Sequence, residues 1–240
     1  MSGELTVEYR EGLTRLTLNR PAKANALDAA LVEALIAALG AAATDGTRLL
    51  VIDGAGKQFC AGFDFGGFED STDGDLVLRF LRIETLLQMV YHAPFQTLAL
   101  AHGRNFGAGA DLVAACSLRV ASPEATFRMP GLRFGVVLGT RRLVHRVGTE
   151  HARALLIDSP TFDAVRALEL RFLTRIADRA DWDGIVAGAL ATARALPEPS
   201  ASGLNRLTVT DTRDADMAEL ARSVSVPGLR ERIRAFRSQG

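Results

Sequence analysis

Two segments of this 240-residue chain combine chemically useful residues with the glycines needed to bring a ligand against the backbone. The first, Lys57-Gln58-Phe59-Cys60-Ala61-Gly62-Phe63-Asp64, follows a short apolar run, Arg48 to Ile52. The second, His102-Gly103-Arg104-Asn105-Phe106-Gly107-Ala108-Gly109-Ala110-Asp111, follows another, Thr97 to Ala101. Small residues let a ligand approach the main chain closely, and a sharp turn leaves an N–H unpaired and aimed into a cleft. The second segment leads into an Ala-rich helix, whose first N–H groups and positive dipole end attract negative charge. Two such turns, from two strands, supply paired donors to a developing oxyanion. Tight packing alone would also account for both loops, and local features leave the two readings open. Asp111, at the helix start, is expected to stay ionised and to act as a base or orient water. An ordinary helix-cap carboxylate is the alternative.

Other chemistries find less support. Gly107-x-Gly109 opens like a dinucleotide fingerprint, but Leu112 stands where the third glycine belongs and the loop lies mid-chain. Gly54-Ala-Gly56-Lys57 lacks the phosphate-loop spacing and the following Ser or Thr. No Ser–His–Asp order or zinc-ligand spacing is evident. His102 reads as a buried structural imidazole. His145, within the Arg141 to Arg146 run, reads as part of a solvated or interface face.

The elements that must position these loops follow from periodicity. Leu5 to Tyr9 and Leu13 to Leu18 alternate around Glu11-Gly12, predicting a hairpin that Pro21 ends. Asp28 predicts the N-cap of a helix with Leu31, Val32, Leu35, Ile36 and Leu39 on one face. Arg48 to Ile52 and Thr97 to Ala101 read as strands buried on both faces. Leu76, Phe80, Ile83, Leu87 and Val90 repeat at helical spacing, Leu118 to Ala121 returns as strand, and Thr126 to Met129 is extended. From Gly139 onward the pattern is almost wholly helical. Repeated strand–strand–helix units followed by a helical tail predict an α/β or α+β fold, divided into a core over 1–180 and a helical region over 181–240.

Twenty-eight basic and 28 acidic residues cancel, which argues against a polyanion or anionic-membrane binder. Of the cations only Lys23 and Lys57 are lysines. Cys60 and Cys116 lack metal spacing and read as free thiols in a reducing compartment. No basic-then-apolar leader is visible, and no apolar run approaches the ~18 residues of a membrane helix. A soluble, cytoplasmic protein is expected, with neither nucleic acid nor membrane as partner.

Asn19-Arg20-Pro21-x-Lys23-x-Asn25-Ala26-Leu27-Asp28, then Gly54-Ala-Gly56-Lys57-x-Phe59-Cys60-Ala61-Gly62-x-Asp64, then the Gly103 to Gly109 loop, resemble the crotonase (enoyl-CoA hydratase/isomerase) superfamily in order and spacing. Ala121 to Phe127 and Thr140-Arg-Arg-Leu143 extend the match over about residues 5–175. The resemblance implies an α/β spiral of repeated ββα units, with a C-terminal helical segment supporting a homotrimer or a dimer of trimers. It implies an acyl-CoA thioester substrate, with coenzyme A part of the substrate and no separate cofactor or metal. The N–H groups of Phe63 and Ala108 are then the oxyanion hole for an enolate, although Ala108 replaces the usual glycine. Lys23, Ala24 and Ala26 fall in the loop that contacts CoA in such proteins. Ala61, Gly62, Asp64, Phe65, Gly107, Arg128 and Gly131 complete the implied substrate-binding set.

The resemblance also exposes two departures. Family hydratases carry two glutamates; the corresponding positions hold Asp111 and, after Phe127-Arg128-Met129-Pro130, Gly131. Addition of water needs one group to activate it and another to deliver a proton, so a single carboxylate weakens the hydratase expectation, and because the family's double-bond isomerases rely on the second glutamate the isomerase expectation is weakened too. The stretch Val136-Val137-Leu138-Gly139 before Thr140 is about three residues shorter than the common pattern, which alters the acyl pocket. Arg128 is a candidate partner for Asp111, or a receptor for a substrate carboxylate, as a decarboxylase or hydrolase would require; an exposed strand Arg is the alternative. The expectation is a lyase or isomerase acting through an enolate, with Asp111 as acid/base. A decarboxylase, a hydrolase and a non-catalytic CoA-ester-binding member remain alternatives.

Overall fold

The alternating first segments form the hairpin β1 (Leu5–Arg10) and β2 (Leu13–Leu18), and β2 turns Thr14, Leu16 and Leu18 inward. The computed structural model describes residues 3–238. Helix α1 (Ala29–Ala42) starts at Asp28, whose carboxylate accepts the Leu31 N–H at 2.8 Å. Strand β3 (Leu49–Gly54) is buried along its whole length. Helix α2 (Asp73–Tyr91) begins in a capping box between Thr72 and Asp75. There follow β4 (Gln96–Ala101), β5 (Arg104–Phe106), α3 (Ala108–Ala115), β6 (Leu118–Ala121) and β7 (Thr126–Arg128). The remainder comprises α4 (Thr140–Val147), α5 (Thr149–Ile157), β8 (Phe162–Asp163), α6 (Ala164–Glu169), β9 (Arg175–Ile176), α7 (Trp182–Ala195), α8 (Glu198–Thr208), α9 (Arg213–Val224) and α10 (Leu229–Arg237).

A six-stranded sheet in the order β1-β2-β3-β4-β6-β9 is antiparallel at β1–β2 and parallel elsewhere. A second sheet has the order β5-β7-β8. Two successive turns of the chain, β4–β5–α3 and β6–β7–α4, each give one strand to the large sheet and the next to the small one before a helix. This is the expected α/β spiral of ββα units. One correction concerns the region after Gly139, expected to be almost wholly helical. It contains β8 and β9, two-residue strands that close the edges of both sheets. Pieces this short carry no periodicity; pairing with β7 and β6 makes them strands.

One face of the large sheet packs Leu16, Leu18, Leu50 and Ile52 against α1 and α2. On the other face Leu49, Val51, Leu98, Leu100 and Val120 meet Trp182 and Val186 of α7. Leu220, Val224, Leu229 and Ile233 of the last two helices join the first of these cores. Asp73 holds α10 to α2: its carboxylate accepts the N–H groups of Gly228, Leu229 and Arg230 at 3.0–3.1 Å. These are donors at a helix start with no intrahelical partner. Among the described residues no helix is long and apolar enough to cross a membrane.

Loss of that cap should loosen the last helix selectively. Asp73→Ala is expected to lower stability by about 1–2 kcal/mol and to speed amide exchange over 229–237 relative to β3 and β4. Unchanged exchange in α10 would show that the cap does not hold it.

Candidate active site

The first loop is held from below by the chain around Asn25. The Asn25 side chain donates to the Ala55 and Gln58 carbonyls at 2.9 and 2.8 Å and accepts the Arg20 N–H at 2.8 Å. The Ala61 N–H donates to the Ala24 carbonyl at 3.0 Å. Leu27 pairs with Phe63 as an isolated parallel bridge, its N–H meeting the Gly62 carbonyl at 2.7 Å and its carbonyl the Asp64 N–H at 3.1 Å. Because alternate peptide groups of an extended chain point to opposite sides, this pairing turns the Phe63 N–H away from Leu27.

The second loop lies directly against the first. Cys60 bridges Asn105, and the Phe106 N–H donates to the Cys60 carbonyl at 3.3 Å. A Cβ added at Gly62 would lie 2.2 Å from the Phe106 carbonyl and 3.2 Å from the Ala108 nitrogen; one added at Gly109 would lie 2.2 Å from the Cys60 carbonyl. Both positions therefore require glycine, by close approach of two backbones. Ala108 is the first residue of α3, where an N–H lacks an intrahelical acceptor. Among the described residues neither the Phe63 nor the Ala108 N–H has an acceptor.

Both residues border a cavity of ≈ 160 Å³, which Ala61, Phe65, Gly107, Asp111, Arg128 and Gly131 also line. The remaining expected contacts lie outside it. Lys23 is exposed, and Ala24, Ala26 and Gly62 form the floor of the loop. Asp64 is occupied elsewhere, with Arg20 at 2.9 Å and the Gly66 N–H at 2.7 Å. Although burial acts in the opposite direction, the Gly66 N–H and the Arg20 charge hold its carboxyl below the usual range. The Arg79 guanidinium lies 4.2 Å from the Phe63 ring centroid and donates to the Asp64 carbonyl at 2.5 Å, which fixes that ring at the cavity wall.

The expectation that Asp111 stays ionised is corrected by its burial, which raises its pKa to about 8. Asp111 is 5% exposed, and its Oδ1 has no hydrogen-bond partner. Its N–H already bonds the Gly107 carbonyl at 3.0 Å, so it stands inside the first turn and not at the cap. A helix dipole is worth up to ~2 kcal/mol even in partly buried sites, and full desolvation outweighs it. Nearby, Arg142 and Glu84 form a buried bidentate pair at 2.8 and 2.5 Å. Arg142 favours the ionised form of Asp111 and Glu84 opposes it, so the pair gives little net relief.

Other expectations change too. Arg128 lines the cavity, and among the described residues it forms no ion pair with Asp111. Its Nε donates to the Ser159 carbonyl at 3.0 Å. His145 is exposed as expected, but within the same run Arg142 is 2% exposed and Arg146 donates to the Ala114 and Cys116 carbonyls. Buried His102 places Nε2 3.1 Å from the Gly56 carbonyl, in keeping with a structural imidazole. Cys60 and Cys116 are buried free thiols, both pushed up to about 12 by burial and unsuited to nucleophilic attack.

The two departures from the family pattern share one cause. The chain turns so tightly after Pro130 that the Val136 N–H bonds the Gly131 carbonyl at 2.9 Å. A Cβ at Gly131 would lie 2.9 Å from the Val136 carbonyl. A side chain at Gly131 would therefore press against the backbone of this turn. Its far end brings Gly139, at φ +67°, against Asp111, where an added Cβ would be 2.1 Å from Oδ1. Sequence reasoning missed Glu84, Gly139 and most of the cavity's aromatic wall. The Glu84–Arg142 pair had one sequence sign, a Glu within the apolar stripe of α2.

Comparison with known proteins agrees with this geometry. The enoyl-CoA hydratase/isomerase family model matches residues 8–219. A Mycobacterium leprae protein named as an enoyl-CoA hydratase is 34% identical over 192 residues, 76% of each chain. An Arthrobacter protein named 4-chlorobenzoyl coenzyme A dehalogenase-2 is 28% identical over 98% of this chain and 91% of its own. The crystal structure of a Bordetella parapertussis protein, named as an enoyl-CoA hydratase/isomerase, superimposes with a TM-score of 0.98 at 48% identity, covering all of both chains. The chain is thus a member of the crotonase, or enoyl-CoA hydratase/isomerase, family.

Proposed function

We propose that the protein moves a proton at the carbon next to an acyl-CoA thioester carbonyl, shifting a double bond without adding water. The supporting observation is the combination of two unpaired N–H groups, Phe63 and Ala108, with one buried carboxyl on an apolar cavity. The thioester oxygen accepts both N–H groups. The ionised form of Asp111 takes the α-proton, and the C–H electron pair passes into an enolate whose oxygen the two donors stabilise. The same carboxyl then returns its proton to the γ-carbon, converting a 3-enoyl into a 2-enoyl thioester. One carboxyl suffices, whereas hydration requires a second group where Gly131 stands. A pKa of about 8 makes the Asp111 carboxylate a stronger proton acceptor than an ordinary one while leaving part of it ionised near neutrality. Coenzyme A enters as part of the substrate, and no separate cofactor takes part. The homotrimer or dimer of trimers implied by the family resemblance belongs to the same proposal.

The decisive measurement is exchange of the α-hydrogens of butanoyl-CoA in D₂O, followed by mass spectrometry, together with conversion of 3-hexenoyl-CoA to its conjugated isomer. Both are expected to proceed. Ester binding without exchange would identify a non-catalytic member, and 3-hydroxyacyl-CoA formation from crotonyl-CoA would identify a hydratase.

Asp111→Asn is expected to abolish exchange while changing CoA-ester affinity less than a few-fold. In the wild type kcat/KM should rise with pH and level off above about 8, because the base is the ionised form. Retained turnover in the variant, or a rate that falls through this range, would remove Asp111 as the base.

Stability should move the other way. Raising a carboxyl's pKa on folding costs ~1.4 kcal/mol per unit, and that cost grows with pH between the unfolded value and about 8. Asp111→Asn is therefore expected to gain stability relative to wild type as pH rises from 4 to 8 in urea titrations. A pH-independent difference would contradict the buried acid.

Restoring the second carboxylate should fail for want of space. Gly131→Glu is expected to cost about 1–3 kcal/mol and to produce no crotonyl-CoA hydration; hydration by a stably folded variant would show that the turn can yield.

A further inference from the structure

Resting on the reading of Phe63 and Ala108 as the thioester site, the aromatic lining of the cavity points to the acyl group. Six phenylalanines line the cavity: Phe63, Phe65, Phe80, Phe106, Phe134 and Phe236. They come from the first loop, α2, β5, the turn after Pro130 and α10. Five of them form one network of rings. Phe63 stacks on Phe80, with centroids 4.4 Å apart and planes at 12°. Phe134 stands 6.4 Å from Phe80 and 4.9 Å from Phe236, and Phe65 contacts both Phe134 and Phe236 at 6.2 and 6.5 Å.

Size and surface then limit the occupant. The cavity is ≈ 160 Å³, and an apolar cavity of about 150 Å³ takes one benzene. Mutually packed rings leave a long acyl chain no ready route past Phe134 and Phe236. A flat ring among them gains face and edge contacts that a short alkyl chain does not. We propose that the preferred acyl group ends in a single six-membered ring, joined to the thioester through a carbon that carries the transferable proton, as in a ring-ended 3-enoyl-CoA; an arylacetyl-CoA has that ring and proton without the movable double bond and serves as a binding probe.

Calorimetric titration of the intact protein with acetyl-, butanoyl-, phenylacetyl- and decanoyl-CoA tests this. Phenylacetyl-CoA is expected to bind at least tenfold more tightly than butanoyl-CoA, and decanoyl-CoA no more tightly than butanoyl-CoA. Phe236→Trp, which narrows the cavity at a position distant in sequence from the donors and Asp111, should weaken phenylacetyl-CoA at least tenfold and leave acetyl-CoA within twofold. Equal affinity for butanoyl- and phenylacetyl-CoA, or tighter decanoyl-CoA, overturns the ring assignment in the wild type alone and leaves the thioester site standing. Failure of all four esters to bind overturns the thioester site and this assignment with it.

Discussion

The site depends on the contact between two backbones that leave no room for a side chain between them. The Phe106 and Cys60 carbonyls occupy the space of Cβ atoms at Gly62 and Gly109. This approach sets the Phe63 and Ala108 N–H groups at one cavity wall. Each donor is left unpaired by a different local rule: strand alternation at Phe63 and the start of a helix at Ala108. The arrangement draws its strength from fixed peptide dipoles, which need little reorganisation when charge develops on a ligand oxygen. The large sheet, α1 and the chain around Asn25 give that contact its rigidity. Asn25 in particular uses its side-chain amide as a peptide-like clamp, joining the chain that leaves β2 at Arg20 to the loop that leaves β3 at Ala55 and Gln58.

Much of this was legible in the sequence, for reasons that can be assigned. Leu49 to Ile52 and Leu98 to Ala101 are fully buried, so the continuous apolar runs identified central parallel strands. Asp28 announced its helix because a cap is a local interaction between residues three apart. Both glycine loops were visible because steric exclusion leaves glycine no substitute. What escaped notice was non-local. The strands β8 and β9 exist only through their neighbours, and the partner of Glu84 lies 58 positions away at Arg142. The charge state of Asp111 was misjudged for the same reason: the helix start can be read from sequence, while the extent of desolvation depends on everything packed around it. Arg128 was correctly placed at the cavity wall, but its engagement depends on Ser159, 31 residues distant.

The shortened loop shows how one backbone change can set several properties together. By turning sharply after Pro130 it excludes a side chain at Gly131, brings Phe134 into the cavity wall and seats Gly139 against Asp111. The same turn borders a small aromatic cavity, and Asp111 beside it is dry enough to hold its proton near neutrality. Cavity size, solvent exclusion and proton affinity meet at one turn and would be hard to vary independently. The buried Glu84–Arg142 pair belongs to the same region. It fastens the start of α4 to α2, and so holds the far end of the loop in place.

The position of Phe236 separates selection from chemistry along the chain. The two glycine loops and Asp111 lie in the first half of the sequence, whereas Phe236 arrives at the cavity from the last helix, which is docked by the Asp73 cap, by Leu229 and Ile233 in the core and by Arg232 on the Phe134 and Gly135 carbonyls. An altered terminal helix can therefore reshape the chamber without disturbing the reactive machinery. A change in the terminal helix can thus reach the cavity wall while the two glycine loops keep their own backbone contact.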